Sequence, residues 1–197
     1  MESVRSFKKA FPDKIILADM KVADTGAIEV EMASKAGADV VMVLAGADDS
    51  TIIESVKAAK KYGVKIMADL ISVANPISRA KELEKMGVDY INVHSGIDQQ
   101  MVGKDPLDII SKIVDTVSIP VAAAGGLDAA GCARAVMAGA SIVIVGGNII
   151  RSADVCAAAR MIRESVDSPS VVKVSKPSQD YEIRKLLLEV STPNISD

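Results

Sequence analysis

A helix that ends in glycine and turns at once into an apolar strand recurs three times in this chain: Ala36-Gly37-Ala38-Asp39-Val40-Val41, Met86-Gly87-Val88-Asp89-Tyr90-Ile91 and Ala138-Gly139-Ala140-Ser141-Ile142-Val143. Glycine closes a helix because it enters the left-handed conformation without steric cost. The copies lie about two βα units apart, which is the repeat of a βα architecture rather than of a solenoid.

Around these copies the chain alternates between short apolar runs and amphipathic stretches. Strands are expected at 15–18, 40–44, 65–70, 90–93, 120–123 and 142–145. Helices are expected at 2–10 and at 26–36, the latter with Ile28, Met32 and Ala36 on one face. Further helices run through Ile52, Val56 and Ala59; Ala80 and Leu83; Leu107, Ile110, Val114 and Val117; Ala133 and Val136; and Val155, Ala159, Ile162 and Val166. Continuous apolar runs are the mark of parallel strands buried on both faces. Such units wind into an open Rossmann-like sheet or a closed barrel. Polar or glycine residues follow almost every strand, at Asp19/Lys21, Gly46/Asp48, Asp69/Ser72, His94/Gly96, Gly125/Gly126 and Gly146/Gly147. An open sheet concentrates its site at one switch point, whereas a barrel gathers residues from every strand end, so a TIM-type (β/α)8 barrel is expected. Six strands are counted where eight close such a barrel. The expected form is therefore incomplete, an N-terminally truncated barrel without its first two strands.

Composition excludes several function classes. With 197 residues, 49% of them apolar, the chain can bury one sizeable core. A net charge of -3 gives no general attraction to nucleic acid or to anionic membranes. No run has the length needed to span a bilayer, and the N-terminus, with Arg5, Lys8, Lys9 and Asp13, lacks the apolar core of a secretory signal. A cytosolic (cytoplasmic) protein is expected. Cys132 and Cys156 each fall inside an Ala-rich helical pattern and are expected to be reduced core thiols rather than a disulfide or metal pair.

Chemistry concentrates in three places. In Lys14 to Asp24, KIILADMKVAD, an apolar run is followed by Asp19, Lys21 and Asp24. Asp19 and Lys21 are two apart and leave an extended backbone by the same face, with Asp24 beyond, where the chain enters a helix. His94, the one histidine of the chain, directly follows an apolar strand in VHSGIDQQ. Gly125-Gly126 and Gly146-Gly147 end the last two strands, each before a helix. Glycines there let backbone N–H groups approach an anion, and the last loops of barrels commonly hold phosphate. Arg151, one turn further on, is the candidate cation for that phosphate.

The pattern D-x-K-x-x-D, from Asp19 through Lys21 to Asp24, resembles the third-strand signature of the orotidine-phosphate decarboxylase superfamily. The wider stretch ADMKVADTGAIEVEMASKAGADVV is similar to its 3-hexulose-6-phosphate synthase branch, and VHSGIDQQ resembles that branch's VHTGIDQQ. The resemblance covers about strands three to eight of the family barrel. It implies an aldehyde-lyase that reversibly adds formaldehyde to D-ribulose 5-phosphate through a Mg2+-stabilised enediolate. Asp19 matches the metal-binding aspartate, Lys21 the lysine that stabilises negative charge, and His94 the proton carrier. Asp24 matches the aspartate that relatives insert into the neighbouring subunit's site, which implies a homodimer with shared active sites. The family's metal-binding glutamate on strand two has no counterpart here. Nor does the arginine that many relatives carry at the second glycine pair, where this chain has Gly147. Ile97 stands where the related ketogulonate-phosphate decarboxylases carry arginine, which favours the synthase. A sugar-phosphate decarboxylase of the 3-keto-L-gulonate 6-phosphate or orotidine type is the alternative, and an inactive fragment or interaction module the other.

Residues 1–167 are thus read as the partial barrel. The run 168–178, rich in serine and proline, reads as a linker. Residues 179–197 resume a helical pattern through Ile183, Leu187 and Val190, and EIRKLLLEVSTPNISD resembles the opening helix of a regulator-of-ribonuclease-activity-like domain.

Overall fold

The computed structural model describes residues 1–96 and 107–169. The expected segments from 170 onward and Ile97 lie outside the described residues. Six strands, β1 (Leu17–Val22), β2 (Val40–Leu44), β3 (Lys65–Asp69), β4 (Tyr90–His94), β5 (Val121–Ala124) and β6 (Ile142–Ile144), form one parallel sheet in the order 1-2-3-4-5-6. Strand order following chain order leaves no switch point. Right-handed crossovers then place every connecting helix on one face and curl the sheet as an incomplete barrel rather than a doubly wound sheet.

The helices are α1 (Glu2–Ala10), α2 (Gly26–Lys35), α3 (Asp49–Tyr62), α4 (Pro76–Met86), α5 (Leu107–Val114), α6 (Ala129–Met137), α7 (Gly147–Ile150) and α8 (Val155–Asp167). Alternation along the strands divides the apolar residues in two. Ala18, Val41, Val43, Ile66, Ala68, Ile91, Val93 and Ala123 face the helices in the main core. Val40, Met42, Met67 and Ala122, with Leu17, Tyr90, Ile142 and Ile144, fill the barrel interior. Among the described residues no helix is long and apolar enough to cross a membrane.

The three glycines of the repeat hold left-handed backbones, with φ of 98° at Gly37, 94° at Gly87 and 98° at Gly139. The aspartates that follow do further work. Asp39 accepts a hydrogen bond from the Ile16 N–H (2.7 Å) and Asp89 one from the Ile66 N–H (2.9 Å), so each fixes the entry of the neighbouring strand. Lys8 and Lys65 pair with these carboxylates at 2.9 and 2.8 Å.

Three expectations need correction. The first strand is displaced from 15–18 to Leu17–Val22, because its carboxyl end carries charged residues inside the strand and an apolar run cannot mark where it stops. On α2 the buried face is Gly26, Val30 and Ala33, while Ile28 and Met32 are 61% and 48% exposed. That helix is apolar on both sides, and close approach to α3 selects the side with the smaller residues. On α8 the inward residues are Ile162 and Ser165, whereas Val155 and Ala159 are exposed, and so is Cys156. Cys132 alone is a core thiol, pushed up by burial to about 11.

The α2–α3 contact sets where the chain after β1 goes. A Cβ on Gly26 would collide with Ser55 Oγ and stand 2.5 Å from the Thr51 carbonyl oxygen, which is backbone and cannot swing away. Gly26→Ala is expected to destabilise the fold by about 1–3 kcal/mol through overpacking. Urea unfolding checks this, and a midpoint shift with unchanged m value is the expected form.

Candidate active site

The carboxyl end of β1 does not continue as a regular strand. Asp19 pairs with Met42 and the next pair is Val22 with Val43, so Met20 and Lys21 have no partners in β2. Lys21 holds φ at 51°, uncommon for a residue with a side chain. The Asp19–Lys21 convergence expected from plain alternation is produced by this bulge, a device that re-aims a side chain.

Lys21 Nζ lies 2.6 and 2.8 Å from the two Asp19 oxygens and 2.8 Å from Asp69 Oδ2, with Met42 Sδ at 3.1 Å. His94 Nδ1 approaches the same Asp69 oxygen at 2.9 Å, and the Ile71 N–H donates to the other at 2.9 Å. Asp69 is 0% exposed. Burial pushes its carboxyl up, yet hydrogen bonds from His94 and Lys21 outweigh this and hold it below the usual carboxylate range. Burial likewise pulls Lys21 down, and Asp19 and Asp69 together raise it above its ordinary value, so it is an ammonium at neutral pH. An ionised Asp69 requires the proton on His94 Nδ1 and leaves Nε2 as the free nitrogen, with the ring on the cavity wall.

The opposite wall is built by the last two strand ends. Gly125 and Gly126 take φ of 104° and 66°, and Asn148 Nδ2 donates to the carbonyl oxygens of Gly126 (3.2 Å) and Leu127 (2.9 Å), tying the two loops together. Asp128 accepts from the Gly131 N–H at 2.7 Å and so caps α6 itself. Asp128 thus satisfies one N–H of the first turn of α6, and Arg151 lines the cavity beside the second loop. Gly147 matters there, because a Cβ on it would stand 2.5 Å from Arg151 Nη2. Its absence lets the guanidinium fold back over the loop.

Asp19, Lys21, His94, Gly125, Gly126, Gly146, Gly147 and Arg151 all line one cavity of about 540 Å³. Asp24 does not join them. It is exposed beyond β1, accepting from the Thr25 N–H at 2.7 Å. The residue missed as a functional group is Asp69, whose signal was present: a lone carboxylate inside the apolar run KIMADL, in step with the inward-facing Met67. A second groove of about 510 Å³ lies over Gly46, Asp48 and Ser72, but its cation, Arg79, is taken up by Asp49, Glu82 and the carbonyls of Ala45 and Ala47. For a divalent metal, Asp19 offers a half-exposed carboxylate (51%) at the cavity rim. This fits Mg2+, which binds through one or two carboxylates and keeps its remaining ligands as water or substrate oxygens. Among the described residues no cluster of three His, Cys, Asp or Glu could hold a metal by protein groups alone.

Ionisable side chains converging at the carboxyl ends of a singly wound parallel sheet, opposite paired glycine loops, define a βα-barrel enzyme. The comparisons narrow the class. Residues 1–162 match the Orotidine 5'-phosphate decarboxylase / HUMPS family. The chain is 38% identical to the 3-hexulose-6-phosphate synthase of Mycobacterium gastri, covering 83% of this chain and 79% of that protein. It is 40% identical to the Bacillus subtilis (strain 168) 3-hexulose-6-phosphate synthase, over 84% of this chain and 80% of that one. The crystal structure of the 3-hexulose-6-phosphate synthase from Salmonella typhimurium superposes with a TM-score of 0.81 at 33% identity, covering 85% of this chain and 80% of that chain. The chain belongs to the orotidine 5'-phosphate decarboxylase / HUMPS family.

A titration tests the Asp69 cluster. Its folded pKa is depressed, so the stability it contributes is present above the ordinary aspartate value of about 4 and is lost as pH falls through the lower folded value. Asp69→Asn is expected to flatten the dependence of Tm on pH below about pH 4. A curve of unchanged slope would show that Asp69 is not the linked group.

Proposed function

We propose that this chain is a 3-hexulose-6-phosphate synthase-type aldolase, an aldehyde-lyase that reversibly condenses formaldehyde with D-ribulose 5-phosphate. The observation that carries the reading is the Asp69 junction, which presents an ammonium and a histidine together at a cavity whose far wall suits a phosphate, in a chain 38–40% identical to synthases.

The geometry supports a division of labour. The glycine loops and Arg151 take the phosphate and set the sugar's carbonyl end against Lys21 and His94. His94 Nε2 removes a proton from the carbon beside the carbonyl, and the Lys21 ammonium meets the negative charge that develops on the enediolate oxygen. The carbon so activated attacks the formaldehyde carbon. The formaldehyde C=O bond opens to an alkoxide, which takes back the proton from His94, so no proton is gained or lost overall. Asp69 fixes the His94 tautomer and keeps Lys21 aimed. Asp19 would hold Mg2+, which supplies further positive charge to the carbonyl and hydroxyl oxygens when bound.

A homodimer belongs to this reading. Asp24 is exposed and does not line its own chain's cavity, and the exposed Ile28 and Met32 follow it on α2, an apolar face beside a carboxylate that the neighbouring subunit's site would receive. Met32→Glu is expected to shift the protein toward monomer in sedimentation velocity, with loss of turnover.

Kinetics separate the roles. Lys21→Ala is expected to lower kcat by about 10² or more, and His94→Asn by about 10² to 10⁴. Arg151→Ala is expected to raise KM for ribulose 5-phosphate by about tenfold with little change in kcat, as a lost charged hydrogen bond to the non-reacting end does. Asp19→Asn should weaken activation by Mg2+. Carbon dioxide from 3-keto-L-gulonate 6-phosphate at a rate matching formaldehyde release from hex-3-ulose 6-phosphate would replace the synthase with the decarboxylase.

A further inference from the structure

The floor of the cavity is apolar except for one side chain. Leu17, Met42 and Ile144 line it together with Asn92. Asn92 is 1% exposed, and its Oδ1 has no hydrogen-bond partner among the described residues. The inward positions of β4 are Tyr90, Asn92 and His94, so Asn92 lies one layer beneath the histidine. Its register partners are Asp69 on β3 and Ala122 on β5, the latter contributing only a methyl group.

A buried amide oxygen left unpaired is costly, and a leucine of nearly the same shape would avoid that cost. Its placement sets what it can bind. The two ends of the cavity are taken, one by Asp19, Lys21 and His94 and the other by the glycine loops and Arg151, so a ligand spanning them lays its middle carbons over this floor. An amide oxygen beside a buried carboxylate asks for a hydrogen-bond donor and disfavours a second anion. We propose that Asn92 is a specificity-determining residue whose side-chain amide hydrogen-bonds a hydroxyl midway along the carbon chain of the bound sugar phosphate. This rests on the sugar-phosphate reading given above.

The test uses Asn92→Leu and three ligands, ribulose 5-phosphate and the two pentulose 5-phosphates that lack the hydroxyl on C3 or on C4, followed by calorimetric binding, thermal unfolding and formaldehyde-dependent turnover. The expected result is a Tm equal to or above that of the wild type, with ribulose 5-phosphate bound about 10- to 100-fold more weakly. One of the two deoxy ligands, lacking the hydroxyl on C3 or on C4, should bind the wild type more weakly by a similar factor and bind the variant no differently from ribulose 5-phosphate. A lowered Tm with undiminished preference for ribulose 5-phosphate would overturn the proposal in favour of a structural role for the amide. Where the leucine variant does not fold, the wild type decides alone: equal binding of ribulose 5-phosphate and both deoxy ligands overturns it. Discrimination between ligands without formaldehyde turnover would sink the synthase reading and leave Asn92 in its assigned role, whereas normal turnover without discrimination would do the reverse.

Discussion

Asp69 is a charged group sealed from water at the junction of three strands, and the site depends on how that charge is balanced. The carboxylate on β3 receives Lys21 from β1, His94 from β4 and the Ile71 N–H from its own loop. Burying a carboxylate is unfavourable unless its oxygens are satisfied, and removing one partner of a buried pair typically costs about 3–5 kcal/mol. The requirement works in both directions. Asp69 can stay ionised only if Lys21 and His94 stay in place, and those two are the groups that must be aimed at a reacting carbon. Desolvation thus converts a structural demand into preorganisation.

The same sheet uses carboxylates differently at its two ends. At the amino end, Asp39 and Asp89 are part exposed, accept backbone N–H groups of the preceding strands and pair with lysines. They fix register and sit far from the chemistry. At the carboxyl end, Asp19 lines the cavity, Asp69 is buried on the inward side of β3, and the two meet a shared lysine. Parallel winding produces this polarity, because all strands end at the same rim and the loops that follow are free to carry function. The bulge in β1 serves that rim. By leaving Met20 and Lys21 unpaired, it brings a lysine over a carboxylate two residues back in sequence and another two strands away.

Much of this was legible in the residues. The glycine–aspartate repeat and the apolar runs determined a parallel βα fold, since glycine closes a helix where other residues strain and runs apolar on both faces need cover on both. Asp19, Lys21, His94 and the glycine pairs stood out because they follow apolar strands, at the end where a βα-barrel carries its function. Which apolar side of α2 turns inward was beyond the sequence, because Ile28/Met32 and Val30/Ala33 are alike in hydropathy and only the close approach of Gly26 to α3 chooses between them. Asp69 and Asn92 belong to the same kind. One polar residue inside an apolar run gives no sign of what it faces, since its partners come from strands more than twenty residues away. Chain alternation determined that those side chains point inward. Only the curl of the sheet decided that Asp69 would meet Lys21 and His94, and that Asn92 Oδ1 would have no hydrogen-bond partner among the described residues, because contacts between strands depend on register and closure rather than on neighbours in sequence.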